Sequence, residues 1–164
     1  MKKLTRYPDW TDRLACYLDR VRDEPFGWGE HDCVLFCNGA VKAITGKDFV
    51  SKYAGQYTDK REAALLLREI KAGTLKSAVT KKLGKPVHVA QAGKGDIVLR
   101  NKAIGVCVGR FTYFVGEQTV DFNYEGFPIT KDGLVTWPTL DCDCAWKIAP
   151  TAILDAPIGG ASGG

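Results

Sequence analysis

The hydrophobic period of this chain changes once, near residue 90, and that change restricts the fold more than any other feature. Before it, apolar residues recur at the three- and four-residue spacing of amphipathic helices. After it, short segments rich in β-branched and aromatic residues are separated by Gly, Pro, Asn and Asp. Closely spaced strands without intervening helices pair as antiparallel neighbours. The sequence therefore predicts an α+β domain, with helices first and an antiparallel sheet second.

Four amphipathic segments make up the helical half. Thr11 and Thr58 are the predicted N-caps of the first and third helices, because a hydroxyl placed before an apolar periodic run accepts a hydrogen bond from the first turn. Gly46 and Gly73 are the predicted ends of the second and third helices, since glycine readily adopts the left-handed conformation that ends many helices. The four predicted helices span residues 11–24, 32–46, 58–73 and 74–84.

Five short apolar segments make up the second half, and each is bounded by turn-forming residues. The predicted strands span residues 95–100, 103–109, 110–116, 133–137 and 144–149. We predict a single domain over residues 1–150, which is long enough to bury a core without disulfides. Residues 151–164 are rich in glycine and have no packing pattern, so they are predicted to form a mobile tail.

The charge of the chain is modest and does not indicate a nucleic-acid partner. The 164 residues include 23 Lys and Arg against 19 Asp and Glu, which gives a net charge of +4. The strand half lacks the interleaving of basic and aromatic residues that is typical of single-strand binders. Four lysines surround the fourth predicted helix, and such a set usually forms a solvated face. These are Lys76, Lys81, Lys82 and Lys85. We therefore predict no nucleic-acid partner.

The cysteines are predicted to be free thiols without a metal. No apolar run reaches the length of a membrane span, and no apolar segment of a signal peptide follows the basic N-terminus. A chain made in a reducing cytoplasm keeps its thiols reduced. Cys142 and Cys144 are separated by one residue, which is not the common spacing of a zinc site, and Cys107 lies within an apolar strand. We therefore expect no metal and no cofactor.

Cys33 lies where the chain passes from a Gly-rich turn into the second predicted helix, in the segment FGWGEHDCVLF. The unpaired N–H groups and the dipole of a helix N-terminus favour a thiolate, so the pKa of Cys33 is expected to fall. Cys37, one turn later, shares the apolar face of the helix and is predicted to be a core residue. Position alone leaves two interpretations of Cys33 open: a nucleophile, or a small buried apolar residue.

The order of several short motifs resembles the NlpC-type papain-like cysteine peptidases of bacterial cell walls. The motifs are Asp32-Cys33 at a helix start, Gly95-Asp96 before a strand, and residues 104–109 in the next strand. The resemblance implies a papain-like fold in which N-terminal helices carrying Cys33 pack on a C-terminal antiparallel sheet. Those peptidases place their catalytic histidine where this chain has Ala103. Alanine can neither take the thiol proton nor protonate a leaving amine.

The segments RYPDW, PFGWGEHDCVLF and GVCVG resemble more closely a small family of phages and prophages whose genes lie among tail-tip genes. This resemblance covers about residues 6–148. It implies a tail-tip or tail-assembly component, produced in the host bacterial cytoplasm and carried at the tail tip of the virion. Its partners would be tail hub and other tail-tip proteins, or a peptidoglycan strand. With the usual histidine missing, the resemblance implies a role in protein–protein contacts.

The alternative is an active cysteine peptidase or amidase that cleaves peptidoglycan while the phage delivers its DNA. Cys33 would then be the nucleophile, and Asp32 would shape the turn before it. His31 or His88 would have to serve as a displaced base, since these are the two histidines of the chain. A base must lie within hydrogen-bond reach, about 3–4 Å from the sulfur. The candidate catalytic residues are therefore Cys33, His31 and Asp32.

Overall fold

The computed structural model describes residues 4–148, which form four α-helices and five β-strands. The helices are α1 (Trp10–Val21), α2 (Cys33–Thr45), α3 (Lys60–Glu69) and α4 (Leu75–Leu83). The strands are β1 (Ile97–Arg100), β2 (Ala103–Cys107), β3 (Phe111–Phe122), β4 (Pro128–Pro138) and β5 (Cys144–Trp146). The α+β class predicted from the change of hydrophobic period is confirmed. The predicted mobile tail, residues 151–164, lies outside the described residues.

The five strands form one sheet in the order β4-β3-β2-β1-β5, and every neighbouring pair is antiparallel. The predicted antiparallel sheet is therefore confirmed. In the centre, Ile97 of β1 lies opposite Val106 of β2 on one side and opposite Trp146 of β5 on the other. The last strand, β5, therefore lies beside the first strand, β1, and β1 is hydrogen-bonded to a neighbour along both edges.

The hairpin of β3 and β4 is much longer than the strands predicted at residues 110–116 and 133–137. β2 pairs with β3 at Val106 and Cys107, and beyond Tyr113 the strand β3 continues with β4 alone. The outer part of the hairpin, residues 117–132, is almost entirely exposed, and we call it the arm. A strand with both faces in water has no buried face to impose an alternation of apolar and polar residues. Its sequence therefore lacked the period-2 pattern on which the strand prediction depended.

The main core lies between α1, α2 and one face of the sheet. A smaller apolar cluster covers the opposite face of the sheet, and neighbouring residues of β1 and β2 enter different clusters because side chains alternate along a strand. The side chains of the main core that are fully buried include Leu14, Phe36, Ile44, Val106 and Trp146. Cys37 is buried in this core as predicted.

The predicted N-caps of α1 and α3 were wrong by one or two residues. α1 begins at Trp10 with Asp9 at the N-cap position, so Thr11 lies inside the helix. Trp10 is already helical and packs against the main core, so α1 begins one residue before Thr11. In α3 the cap is Asp59, whose carboxylate accepts the backbone N–H of the first turn, while Thr58 lies outside the helix. A carboxylate accepts this hydrogen bond more strongly than a hydroxyl and also complements the helix dipole.

The two predicted glycine stops had different outcomes. Gly46 ends α2 in the left-handed conformation, with φ of +78°, as predicted. α3 ends at Glu69, four residues before the predicted Gly73. Lys71 already adopts a left-handed φ of +59°, and this reversal takes the chain out of the helix before the glycine is reached.

Candidate functional site

The turn before α2 is closed by its own backbone. The Gly27 N–H donates to the His31 carbonyl at 3.0 Å, and the His31 N–H donates to the Gly27 carbonyl at 2.8 Å. Gly29 has φ of +74°, and a Cβ at this position would lie 2.1 Å from the carbonyl oxygen of Tyr57. Both the left-handed backbone and the close approach require glycine. The turn therefore has a single shape, and it delivers the chain to the start of α2.

Asp32 is the N-cap of α2 and is buried. Its Oδ1 accepts the backbone N–H groups of Val34 (3.0 Å) and Leu35 (2.9 Å). Its Oδ2 accepts the N–H of Gly29 at 3.0 Å and the hydroxyl of Tyr57. Burial and this neighbouring carboxylate raise the pKa of Tyr57 above its usual range. All four donors belong to the protein itself, so Asp32 holds the turn and the helix start together.

Cys33 is the first residue of α2, partly buried and packed against the main core. Its sulfur faces the backbone N–H of Ile104 in β2, which stabilises the thiolate. That N–H is available because the pairing of β2 with β3 stops at Val106. Burial nevertheless dominates and raises the pKa of the Cys33 thiol to about 11. The expectation of a lowered pKa was wrong, because removal of the sulfur from water outweighs the helix N-terminus.

Ala103 occupies the position that the peptidase resemblance assigns to the catalytic histidine. It is the first residue of β2, opposite Arg100 of β1. Its side chain packs against the smaller cluster, whereas the next residue, Ile104, belongs to the main core. Cys33 also packs against the main core, so the side chains of Ala103 and Cys33 are directed to different faces of the sheet.

His31 is buried beside the start of α2 and engages groups other than the thiol. Its Nδ1 lies 3.5 Å from Oε2 of Glu24, and its ring meets that of Phe36 edge-on at 6.0 Å between centroids. Its Nε2 is buried and has no hydrogen-bond partner among the described residues. Burial lowers the pKa of His31, against the opposing effect of the carboxylates of Glu24 and Asp32. His31 is therefore a buried and predominantly neutral ring above mildly acidic pH.

A histidine buried in this way should make the fold sensitive to acid. The unfolded chain binds a proton on His31 near pH 6.5, whereas the folded chain resists it, so stability is lost as the pH falls below about 6.5. We expect the melting temperature of the wild type to fall by several degrees more between about pH 7.5 and pH 5.5 than that of His31→Gln, as measured by circular dichroism. The matched variant His88→Gln should keep the wild-type loss, because His88 is exposed. An equal loss in His31→Gln and the wild type would contradict this prediction.

His88 lies on the surface. It precedes the short 3₁₀ turn Val89–Gln91, and its Nδ1 accepts the backbone N–H of Ala90 at 3.0 Å. This hydrogen bond leaves its Nε2 free to face solvent. The His88 side chain therefore stabilises the start of this 3₁₀ turn.

The six cysteines all lie within the described residues, and all six are free thiols. Between residues 4 and 148, no three side chains of His, Cys, Asp or Glu converge in a geometry that would hold a metal ion. In the same range, the helices are all too short or too polar to cross a bilayer.

Fold and site together define an α+β protein with a cysteine at the start of a central helix and a carboxylate that fixes the turn before it. Residues 5–148 match a family described as "Domain of unknown function (DUF6950)". The chain therefore belongs to the DUF6950 family. Neither a curated protein nor a solved structure matches the chain.

Proposed function

We propose that this chain is a structural component of a phage tail tip, built on a papain-like, NlpC-type fold that has lost its peptidase chemistry. The observation that carries the proposal is the surroundings of Cys33. Burial keeps its thiol protonated, and the neighbouring His31 faces Glu24. A thiol nucleophile needs a base that takes its proton and returns it to the leaving group. Without that base the fold remains, and its work is done through protein–protein contacts.

The arrangement of the elements supports the papain-like part of this proposal. A central helix with a cysteine as its first residue packs against an antiparallel sheet, and the sulfur meets the backbone at the start of β2. This is the layout that the resemblance implied for NlpC-type peptidases, except that Ala103, the position assigned to the histidine, faces the other side of the sheet from Cys33. The support comes from the relation of helix, cysteine and strand, together with the order of the motifs along the chain.

The surface near the turn supports a role in contacts. Phe26 and Trp28 lie in the segment that leads to α2, with ring centroids 5.1 Å apart in an edge-to-face pair. Both remain more than a third exposed. Exposed aromatic residues are enriched at protein interfaces. In the proposal, the chain is made in the host bacterial cytoplasm and then packs against hub and other tail-tip proteins, close to peptidoglycan when the phage meets a cell.

Site-by-site alkylation by iodoacetamide tests the loss of peptidase chemistry. With a pKa of about 11, Cys33 carries roughly 100-fold less thiolate at neutral pH than an ordinary thiol and should react correspondingly slowly. The exposed Cys16 of the same molecule serves as the internal reference, with both sites read by mass spectrometry. His31→Ala and His88→Ala should leave the Cys33 rate unchanged. Fast labelling of Cys33 near pH 6 that His31→Ala abolishes would overturn the proposal.

The tail-tip part is tested in the phage that encodes the chain. Cys33→Ala should assemble particles of normal infectivity, whereas deletion of the gene should prevent the formation of complete tails. Normal tails in the deletion would contradict a structural role. Particles of Cys33→Ala that assemble but fail to infect would favour an enzyme.

An active peptidase or amidase is the second candidate, and one observation favours it. The backbone N–H of Ile104 acts on the Cys33 sulfur and stabilises negative charge there. A donor of this kind favours the thiolate that a cysteine nucleophile needs. This candidate requires an imidazole to approach the sulfur, so the response of Cys33 alkylation to the two histidine variants separates it from the structural role.

A further inference from the structure

The tip of the arm displays large apolar side chains to solvent. Tyr124 is 96% exposed, and the other apolar residues of the arm are between 45% and 63% exposed. So many large exposed apolar side chains on one short hairpin are unusual on a chain that stays alone in water and mark a contact site. The apolar residues of the arm are Val120, Phe122, Tyr124, Phe127 and Ile129.

The tip has a defined shape in spite of its exposure. Oδ1 of Asn123 accepts the backbone N–H groups of Glu125 and Phe127, both at 2.9 Å. The Asn123 N–H donates to the Phe127 carbonyl at 2.8 Å, and Gly126 closes the turn with φ of +86°. An ordered loop loses less conformational entropy on binding than a flexible one. The tip is therefore pre-organised for binding in a complementary cleft.

A cleft of that kind lies elsewhere on the same chain. It has a volume of about 670 Å³, with Leu4 and Phe49 as its apolar part. The carboxylate of Asp48, which also lines it, is already hydrogen-bonded to Ser51 and Asn38. Four lysines give the cleft its charge: Lys47, Lys52, Lys81 and Lys82.

The charges of the arm and of the cleft are opposite. The arm has one lysine, Lys131, and its ammonium is paired with Asp23 at 2.9 Å. The carboxylates of the arm are therefore left in excess. Glu125 lies at the tip and Asp121 near it, whereas Glu117 and Asp132 lie opposite each other at the base of the arm. An acidic arm with an aromatic tip and a basic cleft with two apolar lining residues match in both charge and polarity.

The arm and the cleft lie at opposite ends of α1. The base of the arm is held at the C-terminal end, where the Leu134 N–H donates to the Arg22 carbonyl at 2.8 Å. The N-terminal end lies beside the end of α2, where the Tyr7 N–H donates to the Ile44 carbonyl at 2.8 Å, just before the cleft residue Lys47. A helix of 12 residues separates the two ends by about 18 Å. The arm is also almost entirely exposed and none of its residues lines the cleft of the same chain, so its tip does not occupy its own cleft.

We propose that the arm of one copy inserts its tip into the lysine-lined cleft of a second copy, so that chains associate head to tail. Tyr124 and Phe127 contact Phe49 and Leu4, and the carboxylates of the arm approach the lysines. Such an interface joins two different surfaces, so it builds rings or open chains. This inference goes beyond the tail-tip role and does not depend on it, because it uses surfaces remote from Cys33.

Sedimentation of the full chain over a wide range of concentration tests the inference. The wild type should associate reversibly, and added salt should weaken the association because screened charges attract less. The tip variant Tyr124→Ser/Phe127→Ser and the cleft variant Lys47→Glu/Lys52→Glu should each remain monomeric. The deciding experiment is sedimentation of the tip variant mixed with the cleft variant. The tip variant keeps an intact cleft and the cleft variant keeps an intact tip, so the mixture should form a 1:1 dimer and nothing larger.

Two matched variants control for nonspecific effects. Leu140→Ser removes an exposed apolar side chain outside the arm, and Lys102→Glu reverses an exposed lysine outside the cleft. Both should associate like the wild type. The inference is overturned if the wild type stays monomeric at all concentrations, or if either double variant still self-associates. It is also overturned if the mixture of the two double variants fails to form a dimer. Because none of these variants touches Cys33, failure here leaves the proposed function intact.

Discussion

Asp96→Ala should lower the free energy of unfolding by about 3–5 kcal/mol, the cost typical of breaking a buried ion pair on one side. The Asp96 side chain is fully buried between two cations. Nη2 of Arg6 lies 3.2 Å from Oδ1, and Nζ of Lys147 lies 2.6 Å from Oδ2. The backbone N–H groups of Gly93 (2.8 Å) and Ile148 (2.9 Å) also donate to this carboxylate. Removal of the carboxylate takes this acceptor from all four donors, although Nζ of Lys147 keeps the Gln91 carbonyl at 2.9 Å.

Asp96→Ala is expected to be strongly destabilising because the donors to Asp96 come from distant parts of the chain. Arg6 precedes α1, Gly93 precedes β1 and Ile148 follows β5, so a single carboxylate joins both ends of the domain to the start of the sheet. The Arg6 side chain is itself largely buried, and a guanidinium cannot give up its proton at ordinary pH. Without Asp96 it remains as an uncompensated charge in the interior.

Chemical denaturation with a fitted slope is the appropriate measurement, because it separates a change in stability from a change in the unfolded state. Asp96→Asn should lie between the wild type and Asp96→Ala, since the amide oxygen still accepts a hydrogen bond but the charge is lost. Asp141→Ala, at an exposed carboxylate, should stay within about 0.5 kcal/mol of the wild type. A loss below about 1 kcal/mol for Asp96→Ala would show that the buried cluster contributes little.

Asp32→Ala should cost about 3–4 kcal/mol, which is more than the loss of an ordinary N-cap. The loss of the cap of α2 accounts for about 1 kcal/mol of this. The remainder arises because the N–H of Gly29 and the hydroxyl of Tyr57 are left buried without an acceptor, at about 1–3 kcal/mol each when unrelieved. Thermal and denaturant unfolding should agree on the ranking.

Asp59→Ala provides the matched comparison. Asp59 caps α3 in the same way, but it is exposed and accepts only the N–H of Glu62 in the helix. Its removal should cost about 1 kcal/mol. If Asp32→Ala were no more destabilising than Asp59→Ala, the bonds to Gly29 and Tyr57 would contribute nothing beyond the cap. If the prediction is correct, loss of function in Asp32→Ala must be attributed to the fold before any catalytic role is assigned.

Local sequence patterns were sufficient for most elements of the fold. The start of α2 at Cys33 was evident because a Gly-rich turn leads there into an apolar periodic run, and Gly46 marked its end. β1 and β2 were evident because residues buried on both faces read as continuous apolar runs. The patterns failed where the structural context is not apolar, as in the arm, and where two neighbouring residues compete to cap one helix, as Thr58 and Asp59 do.

The candidate site likewise combines features that the sequence predicted with features that only the tertiary structure decided. Sequence alone determined that Cys33 lies at the start of a helix that Gly46 ends, since both depend on neighbours within a few residues. The N-cap role of Asp32 was not predicted. Tertiary structure alone decided the chemical state of the site. The pKa of Cys33 is raised by burial against β2, about 70 residues away along the chain, and the partner of His31 is Glu24, in the loop after α1. Asp96 meets Arg6 across 90 residues of sequence. The positions of helices are set by short-range patterns that a sequence displays to within one or two residues, whereas burial and charge pairing depend on which distant segments the fold brings together.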